Sequence, residues 1–246
     1  MWEPHSCIAQ ERVPTENKRV AGLVSVVIPC WNRQAYIKEC LQQLAHQVYK
    51  NIEIIIVDDA STDGTMKVAR QWKSTQRNSL QSRVCIVGLP RNVGYAGAMS
   101  IGMYLARGEF IALHDSDDYS HPLRLQKQVH YFRRHANMGI LGTNYRVVSG
   151  GHVRWKEQPS WIAFGSSNVR SRYKAGSHCI TVGSVMLRGR LFDMYGALNR
   201  RVKGAEDWEI IDRYLSRGVN ADNLRDVLYF VRRHGAQRSK QFYRVR

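Results

Sequence analysis

The chain has 246 residues, of which 43% are hydrophobic and 23% charged, and these values exclude a largely disordered or fibrous protein. No apolar run approaches the roughly 18 residues that a membrane-spanning helix needs. The first 20 residues also lack the apolar core of a signal peptide. We therefore expect a cytoplasmic protein, either free or membrane-peripheral. Five scattered cysteines without a Cys-x-x-Cys pair favour free thiols over disulfides or structural zinc.

The charge is strongly positive and unevenly distributed. The net charge is +17, and 27 arginines stand against 10 lysines. The chain has 13 basic and 12 acidic residues through Asp118, but 24 basic and 8 acidic residues from Tyr119 onward. Guanidinium groups suit bidentate contacts with phosphate, so the second half predicts a polyanionic partner. The alternative is a charge that serves solubility alone.

Residues 1–20 are polar and aperiodic, and we expect a loose N-terminal arm there. Short β-branched runs then alternate with segments of helical periodicity, which predicts βαβ units. The predicted strands are Leu23–Ile28, Ile52–Val57, Val84–Val87 and Glu109–Leu113, and the predicted helices are Tyr36–Ala45, Asp63–Trp72 and Gly94–Ala106. This order indicates an α/β fold: a single domain with a mostly parallel, Rossmann-like sheet flanked by helices.

The second half has a weaker pattern. It predicts strands at Gly139–Val148, His178–Leu187 and Val227–Val231, helices at Pro122–Arg134 and Glu206–Arg217, a mobile polar loop at Ser149–Ser177, and a basic tail at 235–246.

Polar side chains follow each strand of the first half. They fall in the segments Pro29–Arg33, Asp58–Ser61, Leu89–Asn92 and His114–Asp118. Ligands of parallel α/β sheets bind beyond the carboxyl ends of the strands. We therefore expect these four loops to form one site.

Three carboxylates at Asp115, Asp117 and Asp118 repel one another unless a cation lies among them. Carboxylates together with substrate phosphates are typical ligands of Mg²⁺ or Mn²⁺. The alternative is a solvated acidic turn. The pair Asp58 and Asp59 similarly indicates either a helix cap or an acceptor for the edge of a nucleobase.

Two later clusters are also open to two interpretations. Glu206 and Asp207 cap a predicted helix, or one of them is a general base that takes a proton from a hydroxyl. Arg232, Arg233 and His234 hold a diphosphate or a metal, or they form an ordinary basic run.

Six motifs, in this order, resemble the family 2 glycosyltransferases of the GT-A fold: SVVIPCWNR, IIIVDDASTDGT, RNVGYAGA, GEFIALHDSDD, AEDWE and YFVRRHG. The resemblance runs from about Leu23 to His234. It implies a DxD-containing, inverting transferase that uses a nucleotide-sugar, a UDP-sugar above all, with Mn²⁺ or Mg²⁺. Residues 21–118 would bind the donor, and residues 119–234 would bind the acceptor.

The resemblance also implies roles for residues of the donor half. Pro29, Trp31 and Asn32 would lie on the first nucleotide-binding loop. Asp58 would contact the base, and Arg91 would line the nucleotide-sugar pocket. Two positions depart from the usual family pattern, since Cys30-Trp31 replaces the common Thr-Tyr and Ser100 replaces a frequent Asn.

For the metal and diphosphate, the resemblance implies that Asp115 and Asp117 are the DxD pair. Asp117 would ligate the metal, and Asp115 would belong to the same metal site and lie by the ribose and sugar. His234 would be a further metal or diphosphate ligand, supported by Arg232 or Arg233.

On the acceptor side, Asp207 would be the catalytic base with Glu206 beside it. The basic half slightly favours nucleic acid carrying hydroxyl-bearing modified bases, with stacking on Trp155, Trp161 and Tyr173. Packing within the loop is the alternative role of these rings. Other possible acceptors are a phosphate-bearing lipid or cell-envelope glycan at a membrane surface, and a neutral glycan or protein. A catalytically inactive nucleotide-sugar-binding module is the non-enzymatic alternative.

Overall fold

The computed structural model describes residues 19–149, 152–154, 160–202, 204–235 and 237. The predicted N-terminal arm and basic tail therefore lie almost wholly outside the described residues, as does Trp155. Within the described residues, nine strands form one sheet, in the order β3-β2-β1-β4-β8-β6-β9-β5, with β7 paired to β6. One continuous sheet thus joins the two halves of the sequence.

The first half of the sheet is parallel, as predicted. Its strands are β1 (Val20–Cys30), β2 (Ile52–Asp58), β3 (Val84–Gly88) and β4 (Gly108–Leu113). β1 lies between β2 and β4, and β2 pairs with β3, all in parallel. Every residue of β2 is buried, because layers of helices cover both faces of the sheet.

Alternate strand residues face two separate cores. The helices of this half are α1 (Ile37–Ala45), α2 (Thr65–Ser74), α3 (Asn78–Gln81) and α4 (Tyr95–Leu105). Val26, Ile54 and Ile56 pack with α1 and α2, whereas Val27 and Ile55 pack with α4 on the opposite face. The two-residue period of the strands therefore fixes which helix covers which face.

The second half of the sheet is mixed. Its elements are β5 (Tyr119–Ser120), α5 (Arg124–Arg134), β6 (Met138–Ser149), β7 (His152–Val153), α6 (Ser166–Lys174), β8 (Met186–Arg188), α7 (Gly189–Tyr195), α8 (Glu206–Leu215) and β9 (Asn220–Arg233). β8 runs antiparallel between β4 and β6, and β6 pairs with β9 in parallel. The predicted α/β domain is confirmed, with its antiparallel pairs confined to this half.

Two predictions for the second half were wrong. The segment Ser149–Ser177 contains the helix α6 and is not one long loop. The strand predicted at His178–Leu187 is paired only from Met186, because a 3-10 turn at Val182–Ser184 interrupts the segment. The side chain of Asn223 donates to the Cys179 carbonyl at 2.9 Å, so a side chain takes the place of a neighbouring strand there.

The described cysteines Cys30, Cys40, Cys85 and Cys179 are all free, in agreement with the prediction; Cys7 lies outside the described residues. Across the same part of the chain, no helix combines the length and the apolar character needed to cross a membrane.

The close approach of α4 to the sheet depends on Gly102. A Cβ at this position would lie 2.3 Å from Val27 Cγ1, and Val27 is fully buried. We expect Gly102→Ala to lower the free energy of unfolding by about 1–3 kcal/mol through overpacking. The higher helix propensity of alanine would by itself raise the free energy of unfolding by about 1 kcal/mol. The effects of overpacking and of helix propensity therefore have opposite signs.

Urea denaturation measures this change. Tyr104→Ala on the same helix is the control, since Tyr104 is 78% exposed and its loss should change stability by no more than about 0.5 kcal/mol. A Gly102→Ala protein as stable as the wild type would show that α4 does not pack this tightly.

Candidate active site

The polar loops at the carboxyl edge of the parallel strands contact one another. Arg33, after β1, donates from Nε to Asp117 Oδ2, after β4, at 3.0 Å. Asp59, after β2, accepts from the backbone N–H groups of Val93 and Gly94, after β3, at 2.6 and 2.9 Å. The four segments therefore lie together, as their positions in the sequence predict.

The loop after β1 is held in a left-handed turn. Asn32 has a φ of 51°, a conformation that asparagine tolerates better than most residues. Its N–H donates to Ser61 Oγ, and its Oδ1 accepts from the N–H of Thr62, both at 2.9 Å. This turn leaves the neighbouring Trp31 48% exposed at the rim. Pro29 lies inside β1, opposite Val57, and is buried.

Asp58 is buried at the end of β2 and closes a tight turn. Its carboxylate accepts from the hydroxyl and the N–H of Ser61, at 2.5 and 3.2 Å. Arg91 is exposed in the loop after β3. Contact of Asp58 with a base, and of Arg91 with a nucleotide-sugar, stay predictions.

Asp117 lies among positive groups. His234 Nε2 is 2.9 Å from the same Oδ2 that Arg33 contacts, and Arg232 Nε donates to the Asp117 carbonyl at 3.0 Å. Burial raises the pKa of Asp117, but the hydrogen bond from His234 and the charge of Arg33 outweigh it. The net pKa is below its usual range, so Asp117 is ionised at neutral pH.

Asp115, Asp117 and Asp118 form the turn after β4, which we call the acidic turn. The environments of Asp115 and Asp118 differ from that of Asp117. Asp118 is buried and accepts from the Arg232 N–H at 2.8 Å, and burial together with the charges of its acidic neighbours raises its pKa well above the usual range. Asp115 accepts from the Tyr95 hydroxyl at 3.3 Å, and its own N–H donates to the Tyr229 oxygen at 3.2 Å. Three adjacent carboxyl groups therefore have three distinct environments.

The donor atoms around Asp117 fit a divalent cation. A carboxylate and an imidazole are ligands that Mn²⁺ accepts, and substrate phosphates and water commonly complete its coordination. Among the described residues, the buried Nδ1 of His234 has no hydrogen-bond partner. In the described part of the chain, no three acidic, histidine or cysteine side chains already converge as a metal cluster. The roles of Asp115, Asp117 and His234 as metal ligands stay predictions.

Successive residues of β9 point to opposite faces, which separates the two predicted arginines. Arg232 stacks over the Tyr119 ring at 4.2 Å and donates to Glu39 at 2.7 Å, beside the acidic turn. Arg233 is exposed on the other face, near Tyr145. Arg232, and not Arg233, therefore lies at the site with His234.

Asp207 begins α8 beside His178. Its Oδ1 accepts from the Trp208 N–H at 2.9 Å, and its Oδ2 lies 3.3 Å from His178 Nε2. Burial raises the pKa of Asp207, but hydrogen bonding and attraction to His178 outweigh it and hold the pKa below its usual range. Glu206 is buried, and its carboxylate accepts from the N–H of Gly204 at 3.0 Å, which holds the chain just before α8.

Residues 178–184 connect Asp207 to the acidic turn. His178 contacts Asp207 at one end. At the other end, a Cβ on Gly183 would lie 2.7 Å from Asp115 Oδ2 and 2.2 Å from the Tyr229 oxygen. The five residue steps from His178 to Gly183 span at most about 18 Å, so this short segment links the residue beside Asp207 to the residue beside Asp115.

Sequence reasoning assigned no role to three residues of the site, Arg33, Tyr95 and His178. Arg33 and Tyr95 lie inside recognised motifs, so the sequence indicated their positions but not their contacts. His178 had no local signal, because only the tertiary fold brings it to Asp207. Of the aromatic residues predicted to stack on bases, Tyr173 is 2% exposed and belongs to the core.

Many arginines of the basic half hold the fold together. Fully buried Arg124 donates to the carbonyls of Leu113 and Val185, just behind the acidic turn, at 2.9 and 3.3 Å. Others also contact at least two carbonyls each, namely Arg170, Arg188 and Arg213. The planar guanidinium group of arginine can donate to two carbonyls at once, which the ammonium group of lysine does less well. The preference for arginine therefore has an internal explanation besides phosphate binding.

The comparisons agree with this geometry. The family model described as Glycosyl transferase family 2 matches residues 25–192. The chain therefore belongs to glycosyl transferase family 2, whose members are transferase enzymes.

Two relatives and one solved structure illustrate the likeness. EpsE of Bacillus subtilis (strain 168), described as a glycosyltransferase, is 29% identical over 85% of this chain and 72% of its own length. The Escherichia coli UDP-Glc:alpha-D-GlcNAc-diphosphoundecaprenol beta-1,3-glucosyltransferase WfaP is 35% identical over 44% of this chain and 41% of its own. The crystal structure of S. aureus TarS 1-349 with UDP-GlcNAc superposes with a TM-score of 0.71 at 24% identity, covering 89% of this chain and 61% of that one. This last likeness shows the fold.

The buried Arg124 is expected to stabilise the end of β4. Arg124→Met leaves the Leu113 and Val185 carbonyls without this donor, which should cost about 2–4 kcal/mol of unfolding free energy. Chemical denaturation measures this loss. Arg190→Met removes an exposed arginine of the same half and should change stability little. Equal effects of the two substitutions would contradict a special role for Arg124.

Proposed function

We propose that this protein transfers a sugar from a nucleotide-sugar to a hydroxyl of a cell-envelope glycan intermediate carried on a lipid diphosphate. One observation carries the proposal. An ionised carboxylate, Asp207, lies at one end of the short segment 178–183, and Asp115 lies at the other end. In the same acidic turn, Arg33 and Arg232 contact Asp117. A transferase of this kind needs both a base for the acceptor and positive charge for the diphosphate.

The donor side would bind the diphosphate of a nucleotide-sugar, with UDP as the expected nucleotide. The TarS structure holds UDP-GlcNAc, which supports a UDP-sugar on the same fold. A divalent cation, Mn²⁺ or Mg²⁺, held by Asp117 and His234 would supply positive charge for the leaving diphosphate. Arg33 and Arg232 add two fixed cations beside Asp117, and Trp31 offers an exposed ring at the rim.

On the acceptor side, Asp207 accepts the proton of the acceptor hydroxyl. The hydroxyl oxygen then forms a bond to the anomeric carbon. The bond from that carbon to the diphosphate oxygen breaks, and its electron pair leaves with the nucleoside diphosphate. A single displacement of this kind inverts the anomeric configuration. Glu206 contributes by fixing the start of α8, on which Asp207 lies.

The named relatives support a lipid-linked glycan as acceptor over modified DNA. The name of WfaP describes a sugar carried on diphosphoundecaprenol, an acceptor that is itself anionic. The arginine excess, which favoured nucleic acid, is partly explained by contacts with backbone carbonyls such as those of Arg124 and Arg170. A lipid acceptor also implies that the enzyme acts at the membrane surface, where its remaining basic residues would lie near anionic headgroups.

A transfer assay tests the acceptor. The protein is incubated with Mn²⁺ and pooled UDP-, GDP- and dTDP-sugars, in parallel with an undecaprenyl-diphosphate-linked sugar, hydroxymethylated DNA and plain DNA. Mass spectrometry then follows each acceptor. A hexose-sized gain on the lipid-linked sugar supports the proposal, whereas a gain on hydroxymethylated DNA alone overturns the acceptor assignment.

Asp207→Asn should reduce transfer at least about a thousandfold, because the amide cannot accept the acceptor's proton and the nucleophile stays protonated. Binding of UDP, measured by calorimetry, should remain within about twofold. Loss of UDP binding together with transfer would remove Asp207 from its assigned role.

Asp117→Ala should abolish the Mn²⁺-dependent part of UDP binding, because it removes the carboxylate that Arg33 and His234 surround. Calorimetric titrations of UDP with and without Mn²⁺ measure this difference. Asp226→Ala is the control, since Asp226 pairs with Lys127 on the surface and away from the acidic turn. Unchanged Mn²⁺ dependence in Asp117→Ala would argue against metal binding at Asp117.

A further inference from the structure

The geometry points to Tyr173 and His178 as positioning residues that hold Asp207 in orientation through a chain of hydrogen bonds. The inference rests on the proposed function, since it matters only if Asp207 is the base. The Tyr173 hydroxyl lies 2.7 Å from His178 Nδ1, and His178 Nε2 lies 3.3 Å from Asp207 Oδ2. The two ring nitrogens of His178 thus face two different partners.

The direction of the chain follows from its first member. The Tyr173 hydroxyl is buried, and burial raises its pKa far above the usual range, so it keeps its proton at neutral pH. Its oxygen accepts from the backbone N–H of Cys179, which leaves its own proton to donate to His178 Nδ1. The ring proton of His178 is therefore on Nε2, where it donates to Asp207.

This arrangement favours Asp207 over His178 as the base. Both nitrogens of His178 are engaged, one with Tyr173 and one with Asp207, so neither is open to an acceptor hydroxyl. Asp207 accepts one bond on Oδ1 from Trp208 and one on Oδ2 from His178. Each carboxylate oxygen has a further lone pair for the acceptor's proton.

The aromatic surroundings fix the ring of His178. It stacks on Trp161 with ring centroids 5.6 Å apart and an interplanar angle of 16°, and it meets the edge of Tyr173 at 5.7 Å. Trp161 Nε1 in turn donates to the Tyr145 hydroxyl at 2.9 Å. A ring held on two sides cannot rotate away from Asp207, which favours a single carboxylate orientation.

Among the described residues, the titratable groups that face these hydrogen bonds come from three segments. Tyr173 comes from α6, His178 and Cys179 come from the segment after it, and Asp207 and Asp212 come from α8. His178 is the largest cause that lowers the pKa of Asp207 against burial, and backbone hydrogen bonds add to it. Removing its Nε2 donor should therefore raise the pKa of Asp207.

The test compares kcat/KM between about pH 3.5 and pH 8 in the full-length protein. We expect the wild-type profile to lose activity through Asp207 only at the acidic end of this range, since the pKa of Asp207 is below its usual value. His178→Phe keeps a ring for stacking on Trp161 but removes the donor. The acidic limb of the kcat/KM profile of His178→Phe should lie at least about one pH unit above that of the wild type. Its kcat at pH 7.5 should be about tenfold to a hundredfold lower than that of the wild type. Calorimetry should find UDP affinity unchanged.

Two further variants refine the test. His178→Gln restores an amide donor toward Asp207 and should recover part of kcat. Tyr173→Phe removes the hydroxyl alone and should show a smaller loss than His178→Phe. The control is Tyr214→Phe, which removes another buried hydroxyl that donates to the Gly196 carbonyl at 2.5 Å and should leave the pH profile unchanged.

The outcomes separate the two proposals. An Asp207→Asn protein that retains transfer overturns the proposed function itself. If Asp207→Asn is inactive while His178→Phe keeps the wild-type pH profile and kcat, the positioning chain is overturned and the base assignment survives. A loss of kcat in His178→Phe without any shift of the acid limb, matched by Tyr214→Phe, also overturns the chain.

Discussion

The crowding of three carboxyl groups in four residues is the constraint on which the rest of the site depends. At close range, like charges cannot all be ionised without compensation. Asp115 contacts Tyr95 and Tyr229, and Asp117 contacts Arg33 and His234. Burial raises the pKa of Asp118 well above its usual range. The partners come from the β1 loop, α4 and the end of β9. Through these contacts, the acidic turn connects the parallel half of the sheet to the mixed half.

The sequence predicts the parts of this protein in which local pattern and tertiary environment agree. Strands such as β2 are apolar on both faces, and polar motifs follow them at one edge, so the sheet and its loops are predictable. The segment from His178 to Leu187 is apolar enough for a strand, but its backbone bonds to Asn223 and turns at Val182. Pairing partners distant in sequence decide that difference, and periodicity does not reveal them.

Charge composition was the least reliable guide to function. A net excess of arginine suggests phosphate binding only when the guanidinium groups are free to meet phosphates. In this fold Arg124, Arg188 and Arg213 instead donate to carbonyls at the ends of strands and helices. Their charge still contributes to the field of the protein, but their residue type is explained by geometry. The same composition is therefore compatible with a lipid-linked acceptor.

The segment from His178 to Gly183 contacts Asp207 at one end and packs beside Asp115 at the other. Any displacement along it reaches both acidic groups. Under the function proposed above, these two groups serve the acceptor and the donor, so a change in this segment that alters acceptor preference would also alter recognition of the donor. Sequence changes that alter one preference alone would then fall in loops that contact only one of these groups, outside this segment.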